Sequence, residues 1–140
     1  MSVIHLKNVA PIISYDTSKN IVVVSNQQLF FSLKCLKLHI NYQYVLLSCI
    51  SGIDFLGKAY RFGVVYDLLS LTFNQRIRIK TFVNEITSVA SVTSLYINAN
   101  WWEREVWDLF GIYFENHPDN KSIPSIYHYH IDFPFLLYSE

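Results

Sequence analysis

From Arg76 to Thr81 the chain reads Arg-Ile-Arg-Ile-Lys-Thr, an alternation of cationic and apolar or small residues with a period of two. Only an extended strand sorts such a pattern cleanly, with Ile77, Ile79 and Thr81 on a buried face and Arg76, Arg78 and Lys80 on the other. A helix would scatter both sets around its axis. One half-buried strand needs neighbours, so this segment, read from Leu71 to Val83, commits the fold to a sheet.

Neighbours are available. Ile21 to Val24 is β-branched throughout and reads as a buried strand, and Tyr42 to Cys49 and Ala59 to Leu69 read as two more, the former ending at Ser51-Gly52. Between the first two, Asn26 offers a capping side chain. Leu29, Phe30, Leu33, Leu36 and Ile40 then recur at helical spacing, predicting a helix from about Gln27 to His39. A short helix is expected from Thr87 or Ser88 to about Asn98, and a second from Trp101 to Phe110. The second has Asn100 at its cap, Glu103 completing a capping-box pair, and Gly111 just past its end. Ile112 to Phe114 reads as a short strand that Pro118 follows, and the chain beyond it reads as irregular. Consecutive strands favour hairpins over repeated crossovers, so the fold class is α+β, a two-layer domain with a mainly antiparallel or mixed sheet packed against helices.

Composition bounds what such a domain does. The 140 residues suit one domain over 1–140, with 1–20 a lead and 119–140 a short irregular end. Eleven Lys and Arg balance eleven Asp and Glu, so no global field draws in nucleic acid. Only 16% of residues are charged while 16% are aromatic, which leaves little charge to coat a surface. Either other proteins cover part of that surface, or composition has drifted toward Phe, Ile, Tyr and Asn; both readings stay open. No apolar run reaches the roughly 18 residues of a membrane span. Two cysteines, Cys35 and Cys49, are too few for a four-thiolate cluster or zinc site and read as buried free thiols. With four glycines the chain carries no nucleotide-binding fingerprint.

Four clusters remain. Glu103, Arg104, Glu105 and Asp108 share one helix. Glu105 and Asp108 could form an acid/base pair, but local pairing, such as Arg104 with Asp108, or pairing with a neighbouring chain, is the favoured reading. Trp101, Trp102, Trp107 and Phe110 flank these charges; Trp101 and Trp102 diverge by about 100° on a helix, so one of them is expected to face a partner. The row Arg76, Arg78 and Lys80, about 13 Å long, reads as a solvated face or a docking strip for acidic protein. His117, His128 and His130, with Asp132, invite a metal, but no frame holds them, and no metal is expected.

The signature Glu103-Arg104-Glu105, Asp108, Leu109-Phe110, His117 and Lys121, in that spacing, resembles the thirty-kilodalton subunit family of respiratory NADH:quinone oxidoreductase (complex I), in its mitochondrial type. The likeness continues through Tyr60-Arg-Phe62, Leu68-Leu-Ser-Leu71 and Arg76 to Thr81, and resumes at Asp132, Phe133 and Pro134. It implies a cofactor-free, non-catalytic scaffold in the peripheral arm on the matrix side of the mitochondrial inner membrane. Such a subunit docks on the forty-nine-kilodalton quinone-site subunit, while other subunits carry FMN and iron-sulfur clusters. The signature residues are implied to hold the helix and its interface, with Arg76, Arg78, Lys80, Trp101 and Trp102 as further interface candidates. The alternatives are the equivalent subunit of a membrane-bound hydrogenase-type complex and an acid/base enzyme centred on Glu105 and Asp108.

Overall fold

The computed structural model describes residues 12–16 and 18–118. Lys121, His128, His130, Asp132, Phe133 and Pro134 lie outside the described residues. In chain order the elements are β1 (Ile12–Asp16), β2 (Ile21–Val24), a 3-10 turn (Asn26–Gln28), α1 (Leu29–Leu38), β3 (Leu46–Asp54), β4 (Phe62–Ser70), β5 (Gln75–Val83), β6 (Val89–Ala90), α2 (Ala99–Phe110) and β7 (Phe114–Glu115).

Five strands form one sheet in the order β1-β2-β5-β4-β3, and β6 pairs with β7 in a separate parallel ribbon. The hairpins are antiparallel, but β2 and β5 run parallel, so the sheet is mixed. Helix α1 carries the chain from β2 to the far edge, and the β3-β4-β5 meander brings it back beside β2. The expected α+β two-layer class is the class observed.

The predicted alternation in β5 is realised. Ile77, Ile79, Thr81 and Val83 are buried, and their cross-strand partners Leu68, Tyr66, Val64 and Phe62 are buried with them. On that face Leu29, Leu33 and Leu36 of α1 and Val106 of α2 complete the apolar core. Arg76, Arg78, Lys80 and Phe82 point to the other face, together with Leu69, Asp67 and Val65 of β4.

Four expectations need correction. Asn26 does not cap α1: its Nδ2 donates to the Ser88 carbonyl at 2.7 Å, tying the helix entrance to a residue 62 positions on. Strand β3 starts at Leu46 and runs through Ser51-Gly52 to Asp54, because β4 offers pairing partners along its whole length and a ladder outweighs a local breaker. Leu71–Asn74 is a turn, with Asn74 at φ 47°, rather than the start of β5. Between Thr87 and Asn98 there is no helix; Val89–Ala90 pairs with β7 and turns follow. β1 pairs beside β2, within residues that read as a lead.

Gly52 explains how α2 seats. It faces the core, and a Cβ there would lie 2.5 Å from the Phe110 ring, so only a bare backbone lets the last turn of α2 lie flat on β3. Gly52→Ala should therefore cost about 1–3 kcal/mol and lower the Tm by several degrees. Adding Phe110→Leu should recover part of that loss, and thermal melts of the four proteins in the cycle read the coupling.

Candidate functional site

Helix α2 carries most of the residues singled out above, and its inward stripe is Ala99, Glu103, Val106 and, partly buried, Phe110. A carboxylate therefore sits mid-stripe among apolar groups. Glu103 is 0% exposed, where an unpaired charge would cost several kcal/mol. It is not unpaired. Oε1 accepts the Val92 amide at 2.7 Å and Oε2 accepts the Ser91 hydroxyl at 2.7 Å. The His117 Nε2 lies 3.8 Å from Oε2.

This geometry corrects the capping-box expectation. The cap residue of α2 is Asn98, with helical φ and ψ and no side-chain cap bond, while Asn100 lies inside the helix. Glu103 turns inward because the 91–93 link after β6 presents a buried amide that no strand satisfies, and an unmet buried donor costs about 1–3 kcal/mol. Burial pushes the Glu103 carboxyl above its ordinary 4.5, opposed by the Ser91 and Val92 hydrogen bonds and by His117. His117 Nε2 lies 3.2 Å from the Asn100 carbonyl, and a carbonyl only accepts, so that nitrogen carries a proton. Two signature residues fourteen positions apart thus meet on one carboxylate, and His117 straps the chain beyond β7 to the first turn of α2.

A hydroxyl, a carboxylate and an imidazole invite comparison with a hydrolytic triad, but the order is wrong. In a triad the imidazole stands between acid and hydroxyl, whereas here the acid stands between them and no imidazole reaches Ser91 Oγ among the described residues. With Glu103 0% and His117 8% exposed, the cluster is a clamp. The Tyr66 phenol, fully buried beneath α2, is held well above its usual 10 by burial first and by the Glu103 charge second.

The outward face of α2 is different. Trp101 is 60% and Leu109 53% exposed, and Ile97 just before the helix is 88% exposed, while Trp102 and Trp107 pack against the core. The two adjacent tryptophans diverge as their spacing predicts, and Trp101 is the outward one. Arg104 and Asp108 do not form the predicted pair: among the described residues neither they nor Glu105 has an ion-pair partner, and Arg104 Nε is buried without a hydrogen bond. Gly111 does end the helix as expected, at φ 72° with its amide bonded to the Trp107 carbonyl.

The basic row is less uniform than its sequence. Arg78 forms a bidentate pair with Asp67, its partner across β4, at 2.6 and 2.9 Å, whereas Arg76 and Lys80 have no ion pair among the described residues. Cys35 and Cys49 are free but only partly buried; Cys35 lies on α1, and Cys49 lies on the opposite sheet face, where its Sγ donates to Asp67. Sequence reasoning missed Ser91, the Val92 amide and the Asn100 carbonyl, since two are backbone groups and no local pattern marks the third. Among the described residues no helix is long and apolar enough to cross a membrane, and no group of His, Cys, Asp and Glu is placed to hold a metal.

Residues 22–136 match the family described as the respiratory-chain NADH dehydrogenase, 30 Kd subunit. NADH-ubiquinone oxidoreductase subunit 9 of Reclinomonas americana is 46% identical over 131 residues, 90% of this chain and 64% of that protein. NADH dehydrogenase (ubiquinone) iron-sulfur protein 3 of Beta trigyna is 44% identical over 122 residues, 83% of this chain and 64% of that protein. The chain spans about 64% of the length of these curated relatives. A solved structure, the trypsin-resistant fragment of Nqo5, is 32% identical with a TM-score of 0.58, covering 71% of this chain and 80% of that one.

If Glu103 is the clamp, Glu103→Ala should cost about 2–4 kcal/mol in a denaturant melt; a surface-like loss of a few tenths would refute it. The pH dependence has a definite sign. A carboxyl whose pKa is raised by folding contributes fully below its unfolded value and loses that contribution as the pH climbs through the folded one. Wild type should thus fare best relative to Glu103→Gln in acid, with its relative stability declining as the pH rises past 4.5.

Proposed function

Because the chain belongs to the family of the 30 kDa subunit of the respiratory-chain NADH dehydrogenase, we propose that it is a scaffold subunit of that complex, working through its contacts with other subunits. The observation that carries this reading is the outward face of α2. A 60%-exposed tryptophan stands beside an arginine with a buried, unbonded Nε and two carboxylates without ion pairs, on a helix whose inner face is locked to the fold. Aromatic and arginine side chains on a rigid support make a protein-protein anchor, and partial burial leaves these charges seeking partners.

The partner we propose is the quinone-site subunit of the peripheral arm, the forty-nine-kilodalton protein, with the assembly on the matrix side of the mitochondrial inner membrane. The chain takes no part in chemistry: electrons pass from NADH to ubiquinone through FMN and iron-sulfur clusters held by other subunits. The words iron-sulfur protein in a relative's name do not fit a cluster here. The chain has two cysteines, and they lie on opposite sides of the sheet. A hydrogenase-type complex is not favoured, since the similar proteins carry NADH dehydrogenase names.

On a native gel the protein should migrate with the large species that stains for NADH dehydrogenase activity; finding it only as a small free species would overturn the proposal. Replacing Trp101 by Ala together with Glu105→Gln and Asp108→Asn should reduce incorporation about tenfold. The isolated variant should keep its Tm within a few degrees, because none of the three side chains belongs to the buried stripe.

A further inference from the structure

A cationic notch lies where β5 begins, beside the turn that leads into β2. Strand β5 begins at Gln75, but β2 pairs only with Arg78–Lys80, and the last contact on that side is the Arg78 amide donating to the Asn20 carbonyl at 3.0 Å. Gln75–Ile77 therefore run past the start of β2, paired with β4 on one side and, among the described residues, with no strand on the other. Because backbone groups alternate along a strand, the amide and carbonyl of Arg76 point toward that edge, as those of Arg78 point toward β2.

Two hollows, about 270 and 280 Å³, open there and share Asn20, Arg76 and Ile77 as walls. The first is completed by Tyr15, Tyr44 and Asn74, the second by Lys19, Asp67 and Arg78.

Charge distinguishes Arg76 from its neighbours. Arg61 grips Asp54 with two bonds of 2.9 Å and Glu85 with a third, and Arg78 grips Asp67. Arg76, two residues from Arg78 on the same face, stands across from Leu69 and has no carboxylate among the described residues. Lys19 is in no ion pair among the described residues. Of the nearby acids, Asp67 is held by Arg78, while Asp16 accepts the amide and hydroxyl of Ser18 and faces the Lys19 charge. The notch thus joins a strand edge that is open among the described residues to Arg76, which no described carboxylate neutralises, with the Lys19 ammonium in its wall.

We propose that this notch receives an extended, acidic segment of a partner polypeptide, whose backbone continues the sheet beside Gln75–Ile77 and whose carboxylate lies across Arg76 and Lys19. Edge pairing supplies main-chain hydrogen bonds, and the arginine fork suits a carboxylate bidentately. A polyanion such as nucleic acid is disfavoured by the chain's zero formal net charge, and it could not add backbone hydrogen bonds to the strand edge. The chemistry of the notch does not depend on which assembly holds the chain.

A zero-length cross-link reads it directly. Carbodiimide joins an amine to a carboxylate only in contact, so the tagged full chain carrying Arg76→Lys would be treated in its native membranes and the linked peptides sequenced. The expected product is an isopeptide bond from the introduced amine or from Lys19 to an Asp or Glu of another polypeptide. Links only to this chain's own acids, or none, would overturn the inference. In parallel, Arg76→Glu should weaken retention of the neighbour at least tenfold relative to the control Lys34→Glu, with an unchanged Tm; equal retention would also overturn it. A sequenced link to another chain in material lacking NADH dehydrogenase stain would leave the notch standing and sink membership of the complex. Co-migration with the stain without a link would do the reverse.

Discussion

A single buried carboxylate organises the half of the molecule that the sheet alone does not order. Glu103 is wholly inside, and each of its oxygens accepts one bond from the 91–93 link while His117 approaches from the far end of the described chain. The link after β6 has too little strand to satisfy its own amides, and α2 has no side-chain cap at its start. Glu103 meets the first of these, and the Tyr96 and Ile97 carbonyls accept the Ala99 and Asn100 amides at the start of α2. Such an arrangement costs desolvation and returns orientation: breaking it strands two donors, which is why it specifies position more than it adds stability.

Once α2 is held on its inner face, its outer face is free to be something other than core. Phe110 lies against the bare backbone of Gly52, Val106 enters the apolar cluster, and Trp101 is left outward with Arg104, Glu105 and Asp108 around it. A rigidly seated helix presenting an aromatic anchor loses little entropy when a partner arrives. The same economy of surface charge runs through the chain: exposed Ile86, Ile97 and Leu56 sit where an isolated soluble domain would place charged residues.

The open sheet face shows how pairing edits a charge pattern. Read linearly, Arg76, Arg78 and Lys80 are equivalent. In the sheet, register sets Arg78 opposite Asp67 and Arg76 opposite Leu69, so one cation is neutralised and its neighbour is not. The relation spans eleven residues, and no window along the chain contains it without knowing the register.

Local periodicity determined much of this protein without help. The alternation through β5, the β-branched run of β2, the helical spacing over Leu29, Leu33 and Leu36, and the glycine past Phe110 each follow from backbone geometry within a few residues. The α+β class and the signature on α2 were legible for the same reason, because they are patterns of spacing. What tertiary structure alone decided were partners far apart in the chain. Glu103 turned inward to Ser91 and away from Asn100, Asn26 reached Ser88 and left α1 uncapped, and Val89–Ala90 joined β7 when its local signals favoured a helix. In each case a buried donor or strand edge, brought close by the fold, outbid a local preference worth about 1 kcal/mol or less.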